Sequence, residues 1–374
     1  LDGTRLVAAD TSFAYDLLLR AGHDNNLTLR PENEIDTPRT TAGVTARLSS
    51  ETERSAISAD LEYQSLRFEN VPASNSDDYY IDIAASQIWE RWSASINAGF
   101  SSTNTLRTAA IDTGTPEIGI QRERRALSPS LQFNASETTY YTLAASAEAV
   151  EFPDATSFVD YDYTGAQLLR TQALSSRLSW FVGMTYNELE SPAVNSISKT
   201  AGLQAGIEWQ IAQGLKLTAN TGRFRVETTR QFSIFGITLE QTDESDGWTA
   251  DAELEKRWER TRFVARLANN VQPSGNGFLN TQLSGRLVLF HEFSSRFRVR
   301  AGYFRYRFDT LSLLDGRPDD RDYQRASLQL DYRVTERLDL SLEAAHTIQT
   351  FDRTGETAYR DTIFASFIYR GGRQ

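Results

Sequence analysis

Apolar and polar side chains alternate with a period of two along almost the whole chain. In residues 201–209, for example, Leu203, Ala205, Ile207 and Trp209 alternate with polar or small residues, and residues 54–64, 92–100 and 325–334 repeat the pattern. Successive side chains of a β-strand point to opposite faces of the sheet, so this pattern predicts strands with one apolar and one polar face. Helical periodicity is almost absent, and the chain is therefore predicted to be all-β.

Composition and charge then exclude several classes of protein. The 374 residues carry a formal net charge of −11 and a mean hydropathy of −0.46. No unbroken apolar run exceeds four residues, whereas a membrane-spanning helix needs about 20, which excludes a helical membrane protein. A transmembrane β-barrel exposes only every second residue to lipid, so a low mean hydropathy is compatible with it. The acidic balance disfavours nucleic-acid partners, and the absence of Cys excludes thiolate metal sites.

Turn signals divide the chain into strands. Eight short polar turns lie at Glu51–Glu53, Glu90–Arg91, Glu137–Thr138, Ser175–Ser176, Gln213–Gly214, Glu259–Arg260, Ser294–Ser295 and Thr335–Glu336. Nine longer polar connections lie between them, at 23–37, 71–78, 103–121, 153–158, 188–194, 228–246, 272–277, 310–321 and 351–357. Together these connections predict 18 strands. Short turns at one end and long loops at the other are typical of outer-membrane barrels, which keep the short turns in the periplasm.

Proline and tryptophan positions agree with this division. Seven of the nine prolines fall in the long connections and Pro38 falls at a strand start, as expected because proline removes a donor from the ladder. Pro129 is the exception and predicts a bulge or an interruption of pairing. Five of the six tryptophans lie within about four residues of a short turn, as in the aromatic girdle of a membrane barrel.

The predicted fold is one closed antiparallel transmembrane β-barrel of about 18 strands, located in the bacterial outer membrane after removal of a signal peptide. A soluble β-sandwich, propeller or solenoid is the alternative, but each needs a second packed layer or a repeated blade motif that the sequence does not show. The predicted division is a periplasmic segment at 1–10, the barrel at 11–370, and a C-terminal tail at 371–374 that follows the outward-facing Phe367 and Tyr369.

The N-terminal region also shows a family resemblance. The first predicted strand closes on a Gly-x-Asp-Asn-like element at Gly22 to Asn25, and a Leu-x-Tyr-x-x-x-x-Phe strand follows at Leu61 to Phe68. These elements resemble the β-barrel porins of Gram-negative outer membranes that are associated with exopolysaccharide biosynthesis and secretion. His23 departs from the aromatic or small residue usual at its position, and the rest of the chain matches only as a generic barrel. The resemblance implies an outer-membrane porin that serves polysaccharide export.

Catalytic and metal chemistry find little support in the sequence. The three histidines are far apart, and no His-x-Ser pair of a barrel lipase is present, so no enzyme and no cofactor are predicted. One group of loop residues supplies the oxygen ligands that Ca²⁺ takes, although such residues more often form turns. The weak calcium candidates are Asp24, Asn26, Glu34 and Asp36, with Asn25 beside them.

The polar face is rich in charge and is predicted to line the lumen. Its main acids are Asp60, Glu62, Asp82, Glu148, Glu208, Asp251, Glu253 and Glu255. Its main bases are Lys216, Arg262, Arg266, Arg286, Arg298, Arg300, Arg325 and Arg333. One interpretation is that cross-strand ion pairs only rigidify the wall. The other is a transverse field across the pore, with the bases of residues 262–333 facing acids elsewhere, which would orient polar or anionic solutes.

The stretch 297–308 changes phase, because Phe304, Tyr306 and Phe308 have the opposite parity to Tyr303. A β-bulge near Gly302 is the favoured explanation. The alternative is that these aromatic rings line the lumen and contact saccharides.

The leading functional hypothesis is an outer-membrane channel that passes a polar solute or polymer, in particular an exopolysaccharide export porin. The alternative is a structural or anchoring barrel with a plugged lumen whose loops bind a partner at the cell surface. A general diffusion porin is the third hypothesis and would show an outer stripe of small residues for trimer contacts. The expected partners are outer-membrane lipid, polysaccharide, and a periplasmic or surface protein.

Overall fold

The computed structural model describes residues 10–106, 119–153, 155, 158–234, 237–275, 277–311, 321–352 and 354–373. Within these residues, 18 antiparallel strands form one sheet. The strands are β1 (Asp10–Asp24), β2 (Thr37–Glu51), β3 (Ser55–Phe68), β4 (Ser76–Ile88), β5 (Trp92–Asn104), β6 (Gln121–Asn134), β7 (Thr139–Glu151), β8 (Tyr161–Ser175), β9 (Leu178–Ser191), β10 (Ser196–Ala212), β11 (Leu215–Ile234), β12 (Ile237–Arg257), β13 (Thr261–Pro273), β14 (Leu279–Glu292), β15 (Phe297–Thr310), β16 (Arg321–Arg333), β17 (Leu338–Phe351) and β18 (Thr357–Arg373).

Each strand pairs with its sequence neighbours, and β1 pairs with β18, which closes the sheet into a barrel. This confirms the predicted fold class. Two short 3₁₀ helices, Pro72–Ser74 and Pro192–Val194, lie in connections between strands. Among the residues that the structure describes, no helix is long and apolar enough to cross a bilayer. The eight predicted short turns all fall between consecutive strands at one end of the barrel, which we call the short-turn end.

The two faces of the barrel differ as the alternation predicts. Large apolar side chains on the outer face remain open to the surroundings, among them Leu203 at 66% exposure, Leu267 at 58% and Ile57 at 58%. Soluble proteins rarely expose an apolar surface of this extent, whereas a barrel in a membrane presents it to lipid. Trp92 and Trp258 are also exposed at the short-turn end, where amphipathic rings suit the membrane interface.

At the opposite end, which we call the long-loop end, the connection at 228–246 was predicted either to fold inward or to form an extracellular hairpin. It forms a hairpin, because β11 and β12 pair continuously as far as Ile234 and Ile237. Outward ion pairs join the two strands, including Arg223 to Asp246 at 2.6 Å. Beyond the lipid belt both faces of a hairpin meet water, so the apolar alternation disappears while the backbone pairing continues. The sequence signal for a strand is lost there although the strand is present.

Two local irregularities were also predicted. The ladder between β6 and β7 omits Ser128 and Pro129 and resumes at Ser130 in the same register, which confirms the interruption of pairing expected at Pro129. The prediction of a β-bulge near Gly302 is wrong. β15 pairs with both β14 and β16 through this region without a register shift, so Phe304, Tyr306 and Phe308 share the inner face.

The seam between β1 and β18 depends on close packing at one glycine. Gly22 lies opposite Phe364 in the register, and a Cβ at Gly22 would contact the Ile363 carbonyl oxygen and lie 2.8 Å from Phe364 Cα. The Phe364 ring is only 3% exposed. The guanidinium groups of Arg20 and Arg39 each lie 4.2 Å from the centroid of that ring. The missing side chain at Gly22 therefore makes room for an aromatic ring that stabilises the closure.

The first and the last strand meet at this seam. β18 continues to Arg373, so Gly371 and Gly372 pair with Tyr15 and Ala14 of β1 and do not form the separate tail expected at 371–374. The reason is that β1 extends far enough toward the short-turn end to pair with β18 up to Arg373, which lies opposite Phe13. Residues 1–9 and Gln374 lie outside the described residues, and the periplasmic placement of residues 1–10 stays a prediction.

Replacing Gly22 by alanine is expected to lower the free energy of unfolding by about 1–3 kcal/mol, as for other overpacked sites. Denaturant titration of the barrel in lipid vesicles, followed by the heat-dependent mobility shift on gels, measures this change. Gly285→Ala is the matched control, because nothing lies within 4 Å of a Cβ placed at Gly285. Equal stability of the two variants would show that the seam does not depend on Gly22.

Candidate functional site

The charged residues predicted to line the lumen all lie on the face opposite the exposed apolar side chains. They are Asp60 and Glu62 on β3, Asp251, Glu253 and Glu255 on β12, Arg262 and Arg266 on β13, Arg286 on β14, Arg298 and Arg300 on β15, and Arg325 and Arg333 on β16. The continuous registers of these strands place them on the inner wall of the barrel. That they line a conducting pore stays a prediction.

Neighbouring strands pair several of these charges. Arg266 Nε donates to Asp251 at 2.9 Å, and Arg262 Nε donates to Glu255 at 2.7 Å. Arg257 also hydrogen-bonds Glu255. The proximity of these acids and bases across the β12–β13 turn agrees with the cross-strand attraction inferred from the sequence. On this part of the wall the arginines are largely neutralised.

Two further acids were missed in the sequence. Glu343 on β17 accepts hydrogen bonds from Arg325 at 3.0 Å and from Arg20 at 2.7 Å. Asp339, on the same strand, is in contact with three arginines. The signal was available, since both acids have the opposite parity to the outward-facing Leu340 and Leu342. The partners Arg20 and Glu343 are 323 residues apart, and only the closure of the barrel brings them together.

Two guanidinium groups on the same wall have no ion-pair partner among the described residues. They belong to Arg286 and Arg300, and Arg286 lies over the Phe304 ring at 5.3 Å from its centroid. Both line an inner-wall cavity of about 710 Å³ together with Tyr306 and Tyr323. The rings of Tyr306 and Tyr323 are 6.0 Å apart. The carboxylates of Glu253 and Glu343 also line the cavity. The cavity thus combines two arginines that have no ion-pair partner with aromatic surface, and this is the candidate functional site.

The inner wall formed by β1 to β4 carries acidic side chains instead. Asp60 and Asp82 are directly opposite each other in the register of β3 and β4. Arg47 is the nearby base, at 3.4 Å from Asp60 and 3.2 Å from Asp16. In a ring of 18 strands, β4 and β13 are nine strands apart and therefore lie across the lumen from each other. That these charges set up a transverse field across the lumen stays a prediction.

The lumen is narrowed at the long-loop end. An apolar cluster there joins inner-wall side chains to loop side chains, and it consists of Val150, Phe152, Phe158, Tyr161, Leu189, Phe224, Val226 and Leu279. The amide of Val159 donates to the carbonyl of Gly275 at 2.7 Å, so the loops after β7 and after β13 meet. Six strands, β8 to β13, separate these loops around the ring, and their contact therefore crosses part of the mouth. Residues 107–118 and 312–320 lie outside the described residues.

The structure does not gather the calcium candidates around one point. Asp24 accepts a hydrogen bond from Arg360 Nε at 2.9 Å, and Asp36 pairs with His23 at 2.6 Å. The amide of Asn26 donates to the carbonyls of Arg30 and Tyr359, and Glu34 is exposed. In the described part of the chain there is no group of three or more His, Asp or Glu side chains that could hold a metal ion. These residues serve turns and ion pairs instead.

Comparison with known proteins yields no family by sequence, because no protein-family model and no curated protein matches the chain. Solved structures do match. OccK2 (OpdF) of Pseudomonas aeruginosa has a TM-score of 0.51 and 15% identity, with 98% of each chain covered. OccAB3 of Acinetobacter baumannii has a TM-score of 0.51 and 10% identity, with 97% of this chain and all of the other covered. The copper transporter OprC has a TM-score of 0.50 and 12% identity over 94% of this chain, which spans 65% of the transporter's length.

At these identities the likeness concerns the fold. The chain has the fold of Gram-negative outer-membrane porins, with 18 strands closed into one barrel. This likeness in fold and the apolar outer face agree with the predicted outer-membrane location. The structures do not distinguish the porins linked to exopolysaccharide secretion from other porins.

Thiol labelling checks which face each residue occupies, because the chain has no native Cys. Ser327→Cys lies on the wall of the cavity and is expected to react with a charged, water-soluble maleimide in vesicles. Leu328→Cys is the matched control on the outer face, where lipid is expected to protect it. Gel mobility after labelling measures the reaction. Faster labelling at position 328 than at 327 would contradict the assignment of the two faces.

Proposed function

We propose that this protein is an outer-membrane channel for small polar solutes that carry a negative charge. The observation that supports the proposal is the pair of unneutralised guanidinium groups, Arg286 and Arg300, in a cavity of about 710 Å³ on the inner wall. An unpaired guanidinium in a partly enclosed site attracts carboxylate or phosphate and can bind it with two parallel hydrogen bonds. The acids across the lumen add a field that orients such solutes.

The aromatic rings narrow the proposal to acidic saccharides. The flat faces of Phe304, Tyr306 and Tyr323 border the same cavity as the arginines, and the apolar face of a sugar ring packs well on an aromatic ring. A sugar acid presents both features that this wall would recognise. OccK2, which shares the fold at 14% identity and a TM-score of 0.51, has been solved in complex with glucuronate.

Exopolysaccharide export is the finer form of this proposal, and the family resemblance in the N-terminal region is its basis. An acidic polymer would use the same wall of arginines and aromatic rings, one sugar unit after another. It would also have to pass the long-loop end, where Phe152, Phe158 and Phe224 are packed together. Export of a polymer therefore requires these loops to separate, whereas a small solute needs less room. For this reason we place small acidic saccharides first.

The same apolar cluster favours a second candidate function. If the loops close the mouth permanently, the barrel would act as a structural anchor, and its long-loop end would bind a protein partner at the cell surface. The interlocking of the loops supports this candidate, since Ser191 Oγ donates to the carbonyl of Gly277 at 3.1 Å, and Ser191 is fully buried. A purified barrel that never conducts ions in a planar bilayer would establish it over the channel.

Ion selectivity provides the decisive measurement for the channel. In a planar bilayer with a KCl gradient, we expect the reversal potential to show a preference for Cl⁻. The double variant Arg286→Gln/Arg300→Gln is expected to shift that potential toward cation preference, because it removes the two unneutralised charges from the wall. Arg305→Gln is the matched control, since Arg305 is on the outer face and pairs with Asp322 at 3.1 Å. An unchanged potential in the double variant would refute the proposed site.

The size of the solutes that enter distinguishes a channel for small acidic saccharides from a polymer exporter and from an anchor. Vesicles that contain the barrel are expected to swell in glucuronate faster than in glucose, and the rate is expected to fall steeply for acidic oligosaccharides. Fast entry of long oligosaccharides would instead favour polymer export. No swelling with any solute, together with an absence of conductance, would favour the anchor.

A further inference from the structure

One edge of strand β12 is open at the long-loop end of the barrel. β12 pairs with β11 continuously from Ile237 to Lys256. On its other side, pairing with β13 begins only at Ala250, which lies opposite Asn269. Among the described residues, 237–249 therefore have a neighbouring strand on one side only. We call this stretch the open edge of β12.

The edge is open because β13 and β14 turn inward where the β11–β12 hairpin continues. Val271 of β13 and Leu279 of β14 have the parity of the outward-facing residues of their strands, yet both pack in the apolar cluster with Phe224 of β11. Arg230, on the inner face of β11, lies 5.9 Å from the centroid of the Phe278 ring. The ends of β13 and β14 thus pack against the inner side of the hairpin, and no described strand continues the sheet beside β12.

Backbone groups of alternate residues point toward the open edge. The amide of Trp258 donates to the carbonyl of Thr261 at 2.8 Å, and Asn269 Nδ2 donates to the carbonyl of Trp248 at 2.7 Å, so the even-numbered residues face the β13 side. The same alternation directs further N–H and C=O groups away from β11, namely those of Thr238, Glu240, Thr242, Glu244 and Asp246. In the described part of the chain these groups have no backbone partner on that side. Such a row of donors and acceptors is what an added strand pairs with.

The edge lacks the features by which proteins usually prevent strand addition. Natural edge strands are commonly protected by proline, by lysine or by a bulge. Residues 237–249 contain neither proline nor lysine, and their ladder with β11 runs without a register shift. Residues 238–242 are all exposed. The backbone of this stretch is therefore accessible to another segment.

The charge of the hairpin indicates what kind of segment fits. The open edge itself carries acids and no base, namely Glu240, Asp243, Glu244 and Asp246. Glu244 and Asp246 pair with arginines of β11, whereas Glu240 and Asp243 have no ion-pair partner among the described residues. Over residues 223–248 the acids outnumber the bases, five against three. A second copy of this chain would place the same acids against each other, which is repulsive, whereas a basic segment is attracted.

We infer that the open edge of β12 is a docking site for an extended, basic segment of another protein, which joins the barrel sheet as an additional strand. Backbone hydrogen bonds supply affinity, and the carboxylates of Glu240 and Asp243 select lysine or arginine side chains on the added strand. The long-loop end of an outer-membrane barrel faces the cell exterior, so the segment belongs to a surface or extracellular protein. Docking requires no conduction and is independent of the proposed channel.

A synthetic peptide tests strand addition directly. The probe is a fluorescent peptide of alternating lysine and threonine, about as long as a typical strand and with blocked ends. The full barrel in detergent is expected to bind it in an anisotropy titration. A peptide of the same sequence with N-methyl groups on its backbone amides keeps the charge but cannot join a ladder, and it is expected to bind roughly tenfold more weakly. Equal binding of the two peptides would overturn the inference, as would the absence of binding to the folded barrel.

A proline at the centre of the edge tests the place of docking. Thr242→Pro removes a donor that faces away from β11, so the hairpin ladder is expected to persist. The variant is expected to weaken peptide binding roughly two- to tenfold, the effect of losing one hydrogen bond. Thr242→Val is the matched control, because it keeps the amide and the shape of the side chain. Equal affinities of the two variants, with folding confirmed by the heat-dependent mobility shift, would contradict docking at this edge.

Charge variants and sedimentation identify the occupant. Glu240→Gln/Asp243→Asn is expected to weaken peptide binding several-fold, whereas Glu32→Gln/Glu34→Gln removes two exposed acids from another loop at the same end and is expected to have little effect. Equal losses in the two double variants would reduce the interaction to general charge attraction and overturn the site. In sedimentation, an oligomer of the barrel that dissociates in Thr242→Pro would overturn the basic segment in favour of a second copy of this chain.

Discussion

Backbone hydrogen bonding in a medium without water is the constraint on which the rest of this structure depends. Inside a bilayer every N–H and C=O group must find a partner within the protein, and a sheet meets this requirement only if it has no free edge. The pairing of β1 with β18 removes the last edge. The ring of Phe364, which lies over Gly22 between two arginines, shows how tightly that seam is packed.

Closure also decides where charge can be placed. At the level of the lipid belt the outer face must be apolar, so polar and ionised side chains gather on the inner wall. Most of the inner arginines there are held by acids such as Asp251, Glu255 and Glu343. The exceptions, Arg286 and Arg300, lie beside the aromatic rings on one side of the ring. In the proposed channel, a wall of this kind would attract anions, and the packed loops at the long-loop end would limit the size of a passing solute.

The alternation of apolar and polar residues predicted the inner and outer faces of the strands correctly at the level of the membrane. Beyond the membrane it did not. The outward positions after Tyr303 are Arg305 and Arg307, which pair with Asp322 and Asp309 at the long-loop end. Because charged residues there occupy outward positions, the aromatic residues between them looked out of phase, and a bulge seemed necessary. For the same reason the connection at 228–246 was predicted as a long loop or an extracellular hairpin and not as two continuous strands. Hydrophobic periodicity depends on whether each face of a strand meets lipid or water. Backbone pairing between strands does not depend on this difference.

The sequence by itself determined the number of strands, their order, the positions of the short turns and the face of the charged residues that it assigned to the inner wall. These features are local, because about ten neighbouring residues define the two faces of a strand and the turns beside it. Only the tertiary structure decided which charges meet. Arg20 reaches Glu343, Asp24 reaches Arg360, and the loop at Val159 reaches Gly275 because ring closure and register bring distant segments together. Which arginines remain unneutralised follows from those pairings, and it is on them that the candidate function depends.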